Sequence, residues 1–162
     1  MKKLFLFTTI ALLSLSAKAQ NGSATIQDLG KALFASFQTN NIEPVSKYFV
    51  GKAELKVIKG ATTEDEDKMI QLLVQKTVKD LTNEWATTYT KLEADGVDWK
   101  KAANPAVSHE PFQKDGREYS IVQVIFKCND KMHTLTAVCV QINGLWYIAN
   151  DIEPNAHPAY DK

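Results

Sequence analysis

The sequence predicts an α+β fold in which N-terminal helices, one of them long, pack on a curved antiparallel sheet. Apolar residues recur at helical spacing until Asp95-Gly96. From Tyr119 onwards, alternating apolar runs are separated by two-residue turns. One of these turns is Asn143-Gly144, and Asn-Gly between such runs is the strongest short-range signal of a β-hairpin. The helices therefore precede the sheet, which is a meander.

Residues 1–19 have the pattern of a bacterial secretory signal peptide. Two lysines precede a short apolar stretch, and Ala17-Lys18-Ala19 fits a small-x-small cleavage site. The apolar stretch is shorter than the roughly 20 residues that cross a bilayer, and no cysteine follows it to carry a lipid. We therefore expect a chain that begins at Gln20, has no membrane span and is periplasmic or secreted. Residues 20–162 are expected to form a single domain.

Charge disfavours nucleic acid as a partner. The predicted cleavage removes three lysines and no acidic residue, so the formal net charge falls from 0 to −3. Arg117 is the sole arginine of the chain. Nucleic-acid-binding domains usually carry a basic surface with clustered lysine and arginine, and no such surface is expected here.

The two cysteines, Cys128 and Cys139, are expected to stay free although export favours disulfides. A turn at Asn129-Asp130 places Cys128 beside Lys131 and Cys139 opposite Ser120. The two cysteines are then roughly 25 Å apart at about 3.3 Å per residue. A disulfide requires Cα atoms within about 7 Å, so we interpret both cysteines as small buried apolar residues.

Three short elements are expected before the long helix. Thr25 opens a helix that ends at Asn40-Asn41. Glu43-Pro44 opens a short helix that Gly51 ends. Residues 52–59 fit a short strand or a helical turn, and their pattern does not decide between the two. The first helix carries apolar residues on one face: Ile26, Leu29, Leu33 and Phe37.

A capping-box pattern at residues 63–66 opens the long helix, and its acidic residues complement the helix dipole. A stripe at helical spacing follows: Ile70, Leu73, Val74, Thr77, Val78, Leu81, Trp85, Tyr89 and Leu92. Trp85 and Tyr89 are interpreted either as core residues or as the mouth of a pocket between helix and sheet.

The sheet region is expected to start at residues 97–99. A strand over residues 107–112 contains Pro111, which suits an edge or a bulge. Asp115-Gly116 is the expected turn into the meander, whose strands cover residues 119–128, 131–142 and 145–152. The turn at Asn143-Gly144 places Cys139 opposite Ile148, Ala137 opposite Asn150 and Leu135 opposite Ile152.

This register assigns two faces to the sheet. The helices are expected to cover the apolar face, which carries Val122, Val124, Phe126, Leu135, Ala137, Cys139, Trp146, Ile148 and Ile152, with the polar residues Ser120, Gln141 and Asn150. The outer face is mixed and carries Ile121, Gln123, Ile125, Lys127, Thr134, Thr136, Val138, Val140, Tyr147 and Asp151.

The order of elements, with a final hairpin Ile142-Asn143-Gly144-Leu145-Trp146-Tyr147-Ile148, resembles the nuclear-transport-factor-2-like (cystatin-like cone) superfamily. Exported bacterial members similar to lumazine-binding-like domains of unknown function often end with such a strand, and the chain resembles them. The resemblance covers nearly all of the chain after residue 19, and its sharp motif is the last hairpin. It implies a cone-shaped cavity between helices and sheet. Members include isomerases, dehydratases, cyclases and non-catalytic binding modules, so the fold leaves function open.

Candidate catalytic groups are few. Enzymes of the resembled superfamily typically direct an acid or a histidine into the cone, and the predicted register offers none on the last two strands. His109 is the best candidate for a general base, whereas His133 is expected at the surface of a hairpin tip. The histidines lack metal-ligand spacing, and no nucleotide-binding motif is present. We expect neither a metal nor a cofactor.

The sequence is therefore interpreted as an exported, non-enzymatic binding or interaction module. The alternative is a small-molecule isomerase or lyase of the same fold with a histidine or carboxylate in its pocket. The expected partner is a small apolar ligand or a protein. The candidate ligand-binding residues are Trp85, Tyr89, His109, Gln141, Trp146 and Asn150.

A homodimer through the outer face of the sheet is a further expectation. Monomers rarely expose large contiguous apolar patches, and the helices are expected to be committed to the other face. The alternative cover is the tail after residue 152, folded back on the patch. The patch is formed by Ile121, Ile125, Val138, Val140 and Tyr147.

Overall fold

The computed structural model describes residues 22–60 and 63–154. They form an α+β fold in which helices pack on one open four-stranded antiparallel sheet of order β1-β2-β3-β4, which confirms the predicted fold class. The predicted signal peptide, its cleavage site and the tail from residue 155 lie outside the described residues. The elements are α1 (Ile26–Gln38), α2 (Glu43–Ser46), α3 (Lys52–Lys59), α4 (Glu64–Ala94), β1 (Ala103–Lys114), β2 (Arg117–Cys128), β3 (Lys131–Ile142) and β4 (Leu145–Pro154).

Helix α1 begins as predicted and lies directly against the sheet. The hydroxyl of its N-cap residue, Thr25, accepts a hydrogen bond from the backbone N–H of Asp28 at 3.1 Å. Gly30 faces Val107 of β1 so closely that a Cβ on this glycine would lie 2.7 Å from a valine methyl. The predicted apolar face of α1 is buried. A side chain at position 30 would push the helix off the sheet.

Helix α4 has the predicted bounds. Thr63 and Glu66 form the capping box, in which the Glu66 carboxylate accepts from the Thr63 backbone N–H at 2.8 Å. The helix ends at Asp95-Gly96, where Gly96 adopts a positive φ of 89°. Its buried residues are Ile70, Leu81, Trp85, Thr88 and Leu92.

The undecided segment, residues 52–59, is the helix α3, and contacts on both sides hold it in place. Arg117 at the start of β2 donates to the carbonyls of Val57 and Ile58, at 2.7 Å and 3.2 Å. Asp67 of α4 forms ion pairs with two lysines of α3, at 2.6 Å for Lys52 and also with Lys56. Helix α3 therefore connects the start of α4 to the sheet.

Three two-residue turns connect the strands. Both residues of every turn have positive φ: 51° and 71° at Asp115-Gly116, 48° and 62° at Asn129-Asp130, and 51° and 79° at Asn143-Gly144. This is the conformation of type I′ turns, whose twist matches that of the flanking strands. All three predicted turns are confirmed. Strand β1 is longer than predicted, and its edge position tolerates Pro111. Residues 97–99 lie in the preceding loop and not in the sheet.

The predicted β2–β3 register is confirmed, and the β3–β4 register is correct only near its turn. Cys139 pairs with Ile148 as expected, but irregular pairing around Val138 then shifts β4. Asn150 lies opposite Val138, and Pro154 lies opposite Leu135. The predicted pairs of Ala137 with Asn150 and of Leu135 with Ile152 are therefore wrong. The physical reason is a bulge, in which Asp151 adopts a positive φ of 58°.

The two faces of the sheet are covered unequally. Helices α1 and α4 cover the face that was predicted to be apolar, and its residues from Val122 to Ile152 join one core. The expectation that all helices pack on this face is wrong for α3. Val140 and Tyr147 of the outer face are buried in a second cluster with Val50, against which Leu55 and Ile58 of α3 pack.

Two further observations concern the cysteines and the helices. Cys128 and Cys139 are both buried and free, and burial raises the pKa of the Cys139 thiol. Within the described ranges, no helix combines the length and apolar character needed to cross a membrane.

A candidate ligand-binding cleft at the ends of the two main helices

The space between helices and sheet is filled by stacked aromatic rings. Tyr89 stacks on Trp99 with ring centroids 5.7 Å apart, Trp99 on Phe126 at 5.5 Å, and Phe126 on His133 at 5.6 Å. Such offset stacks add about 0.5–1.5 kcal/mol per pair beyond the area that they bury. The row of rings runs from α4 through the loop after it to strands β2 and β3, and Tyr89 is its partly exposed end.

A cleft of about 580 Å³ opens beside Tyr89 and Trp99. Its walls come from the C-terminal ends of α1 and α4 and from the loop between α4 and β1. It is lined by Gln38, Thr39, Asn40, Tyr89, Glu93, Val97, Asp98, Trp99 and Lys100. Ligand sites are typically concave and mostly apolar, with a few polar groups that orient the ligand. This cleft is more polar, since six of its nine lining residues are polar or charged, and its apolar wall comes from Tyr89, Val97 and Trp99.

Two tryptophans near the cleft differ in the state of their indole N–H groups. Trp85 donates its N–H to the Ser36 hydroxyl at 3.0 Å. Trp99 is only 6% exposed, and its buried N–H has no hydrogen-bond partner among the described residues. A buried donor without a partner costs about 1–3 kcal/mol. The unpaired N–H of Trp99 therefore lowers the stability of the fold, which packing of the ring alone does not require.

Hydrogen bonds fix the loop that forms one wall. Asp98 accepts from the backbone N–H of Lys100 at 3.1 Å, and its own backbone N–H donates to the Cys128 sulfur at 3.2 Å. Gln38 at the end of α1 donates to the carbonyl of Ala102 at 2.8 Å. These contacts tie the loop to β2 and to α1, so the cleft is preorganised.

The polar rim of the cleft carries charges of both signs. Glu93 lies one turn after Tyr89 on α4. Burial raises the pKa of the Tyr89 hydroxyl, and a hydrogen bond to Glu93 together with the negative charge of Glu93 raises it further. Tyr89 therefore stays a neutral hydrogen-bonding group at physiological pH, and Lys100 supplies a cation on the same rim.

A second, smaller cleft of about 350 Å³ lies between α4 and the bulge of β4. Thr88 donates to the carbonyl of Ile152 at 2.7 Å, and the backbone N–H of Ile152 donates to the Glu84 carboxylate at 3.1 Å. Burial raises the pKa of Glu84, and hydrogen bonds from the backbone oppose this shift only in part. Both side chains satisfy backbone groups that the bulge leaves without a ladder partner.

The structure does not bring the six predicted site residues together. Tyr89 lines the cleft, and Trp85 is buried behind it at a ring distance of 5.6 Å. Trp146 is buried where Ser23 pairs with it, and Gln141 lies beside it as its β-pair partner. These two residues lie in the last hairpin, near the Asn143-Gly144 turn.

The two remaining site candidates are exposed. His109 lies on β1, with its Nδ1 atom 3.2 Å from the hydroxyl of Ser120. Asn150 lies beside the bulge and donates to the Asp151 carboxylate. The prediction that Asn150 points toward the helices is wrong, because the bulge changes which side of the sheet it occupies. Asp151 is exposed, as predicted.

His133 was predicted to be a surface residue, and this is wrong. It is 7% exposed and stacks on Phe126 with an interplanar angle of 24°. Its position near the end of a strand suggested solvent, but the core extends to that hairpin and includes Cys128.

Of the nine residues that line the cleft, the sequence predicted Tyr89 alone as a site residue, and the eight that it missed include Gln38, Glu93 and Trp99. A signal existed for Glu93, which lies four residues after Tyr89 and hence on the same helix face. Trp99 follows the helix-ending glycine by three residues, so a fold back toward the helix end could have been considered.

Among the residues that the structure describes, no group of three or more histidine, cysteine, aspartate or glutamate side chains could hold a metal ion. Comparisons with models of protein families, with curated proteins and with solved structures find no match to this chain.

Proposed function

We propose that the protein is an exported, non-enzymatic binding module that holds a small aromatic or amphipathic ligand in the cleft beside Tyr89 and Trp99. The observation that carries the proposal is the partly exposed ring of Tyr89, backed by the buried Trp99, beside a polar rim that includes Glu93 and Lys100. An apolar, flat ligand could stack on the partly exposed ring of Tyr89, and the rim would orient its polar groups. The resemblance implied a cavity between helices and sheet, but stacked aromatic rings fill that space. The proposal therefore rests on the cleft at the helix ends.

The cleft can be tested with indole and 4-methylphenol as probes. We expect both compounds to shift the NMR resonance of the Trp99 indole N–H, and Tyr89→Leu to weaken this binding about tenfold by removing the stacking surface. Tyr119→Leu is the matched control, because Tyr119 is also partly exposed and stacked, on Phe112 at 5.4 Å. Probe shifts that are absent, or that survive Tyr89→Leu unchanged, would contradict the proposal.

Export is a separate part of the proposal. The charged start, the apolar stretch and Ala17-Lys18-Ala19 support cleavage after Ala19 and a periplasmic or secreted product. Mass spectrometry of the protein isolated from an exporting host should find Gln20 as the first residue. An intact N-terminal segment, or a lipid-modified terminus, would contradict this expectation.

A second candidate function is the small-molecule isomerase or lyase. The raised pKa of Glu84 at the 350 Å³ cleft favours it, because acids and bases in active sites commonly have shifted pKa values. The test is NMR of small ketones in D₂O with the protein present. Incorporation of deuterium next to the carbonyl that Glu84→Gln abolishes would support the enzymatic function. Exchange at the same rate in the wild type and in Glu84→Gln would contradict a catalytic role for Glu84, whose role would then be to hold the bulge.

The homodimer through the outer face of the sheet stays a prediction. The apolar patch available for it is smaller than expected. Val140 and Tyr147 are covered in the second cluster, whereas Ile121, Ile125 and Val138 are half-buried. Val138→Lys tests it, since a dimer on this face should dissociate when a charge enters its centre.

A further inference from the structure

The N-terminal half of α4 carries an exposed apolar strip formed by Met69 and Leu72, with the half-buried Leu73 at its edge. Met69 is 64% exposed and Leu72 is 67% exposed, whereas Leu81 on the same helix is 1% exposed. Leu73 lies with Met69 and Ile70 along a groove of about 240 Å³ at the edge of the strip. Exposed leucine and methionine side chains in a row on one helix are a feature of helix–helix contacts.

Opposite charges flank this strip. Asp65 lies one turn before Met69, and Lys76 lies one turn after Leu72. The spacing of four, three and four residues between Asp65, Met69, Leu72 and Lys76 is the spacing of positions that face a partner helix in a coiled coil. The Asp65 side chain is 97% exposed, although the Lys68 Nζ lies 3.6 Å from its carboxylate. It is therefore accessible to a second partner.

We propose that a second copy of this chain covers the strip, so that two α4 helices pack antiparallel about a two-fold axis between Met69 and Leu72. In one register, Met69 faces Leu72 of the second copy and Asp65 faces Lys76 of the second copy. The two-fold axis repeats both contacts. Apolar contacts thus lie at the centre of the pair, and a charge pair lies at each end.

The order of charges along α4 favours an antiparallel second copy of the chain as the partner. The first turn of α4 is acidic and Lys76 and Lys79 follow the strip, so an antiparallel pair joins acidic to basic ends, whereas a parallel pair would join like to like. A single helix pair buries an area at the low end for specific interfaces, below about 1,200 Å². The dimer should therefore dissociate on dilution.

Sedimentation velocity of the purified protein over a concentration series tests the proposal. We expect a monomer–dimer equilibrium in the wild type and a monomer at every concentration in Leu72→Glu, since a carboxylate would enter the centre of the contact. Met132→Glu is the matched control, because Met132 is also 64% exposed but lies on β3. It should dimerise as the wild type does.

Charge exchange tests the register itself. Lys76→Glu and Asp65→Lys should each raise the dissociation constant about tenfold, because each places like charges opposite one another at both ends of the pair. The double variant restores opposite charges and should restore dimerisation. Circular dichroism of each variant verifies that α4 remains helical.

Four outcomes would overturn the proposal: a wild type that is monomeric throughout, a dimer that persists in Leu72→Glu, a double variant that stays as weak as the single ones, and dissociation by Val138→Lys in place of Leu72→Glu. The last result would place the interface on the outer face of the sheet.

Discussion

The two halves of α4 have the same backbone conformation and opposite environments. The C-terminal half buries Leu81, Trp85 and Leu92 against the sheet and α1. The N-terminal half has Ile70 as its fully buried residue, while Met69 and Leu72 project into solvent. The comparison shows that the apolar residues of one continuous helix are divided between the core, in the C-terminal half, and solvent, in the N-terminal half, where we propose a dimer contact.

The same contrast extends to the polar groups of the helix. In the C-terminal half, Thr88 and Glu84 satisfy the backbone of the β4 bulge. In the N-terminal half, Asp67 forms ion pairs with Lys52 and Lys56 of α3 that are partly exposed to solvent. Hydrogen bonds to buried backbone groups contribute more to stability than ion pairs in solvent. The C-terminal half should therefore be the more firmly held.

Truncating one leucine in each half of α4 should give the largest difference in the free energy of unfolding. Leu81→Ala should lower the free energy of unfolding by about 2–5 kcal/mol, because it leaves a cavity in the core. Leu72→Ala should change it by less than about 0.5 kcal/mol when the protein is dilute enough to be monomeric. Urea denaturation followed by circular dichroism measures both. Equal losses in the two variants would contradict the division of the helix.

Two threonines on α4 allow the contribution of a tertiary hydrogen bond to be compared with that of a local one. Thr88 donates to the carbonyl of Ile152 at 2.7 Å, whereas Thr82 donates to the carbonyl of Val78 within its own helix at 2.7 Å. Thr88→Val should cost about 1–3 kcal/mol, because a buried carbonyl loses its donor. Thr82→Val is the exposed control and should cost almost nothing. A comparable loss in both would mean that α4 does not hold the bulge.

The two halves should also differ in the sign of their pH dependence. The pKa of Glu84 is raised above its ordinary value of 4.5, mainly by burial. Folding therefore favours the protonated carboxyl of Glu84. Its contribution to the free energy of unfolding is fully present below the pKa of the unfolded state and is lost as the pH rises through the pKa of the folded state. Glu84→Gln should remove that decline. Urea titrations at a series of pH values above 4.5 should detect the change.

Asp67 should act in the opposite direction. Hydrogen-bonded ion pairs with Lys52 and Lys56 hold its pKa below the ordinary value of 3.8. Its contribution is present above the unfolded pKa and is lost as pH falls through the folded pKa. Asp67→Asn should therefore flatten the acid side of the stability profile, and high salt should weaken this effect by screening. A change of the same sign in both variants would contradict the assignment.

Local signals were sufficient to predict the fold. The capping box at Thr63 and the helix end at Asp95-Gly96 are determined by nearby residues, and each two-residue turn requires residues that tolerate positive φ. The bulge near Asp151 was missed because it depends on Glu84 and Thr88, which lie far away in the sequence. The register beyond the bulge was wrong for that reason.

The candidate site was less accessible to prediction. Tyr89 was identified because its position on a helix face follows from spacing alone. Trp99 and Gln38 reach the cleft through a loop and a helix end, whose directions are determined by tertiary contacts such as the hydrogen bond from Gln38 to Ala102. In the N-terminal half of α4, spacing left Met69 and Leu72 outside the predicted stripe, but it included Val78, which is 38% exposed.

Amide hydrogen exchange along α4, measured at low and high protein concentration, tests the division of this helix most directly. We predict that amides of residues 81–92 exchange only through global unfolding at both concentrations. Amides of residues 69–78 should exchange through smaller local openings in dilute protein and become slower as the dimer forms. Uniform protection along the helix, or protection of residues 69–78 that does not depend on concentration, would contradict the account.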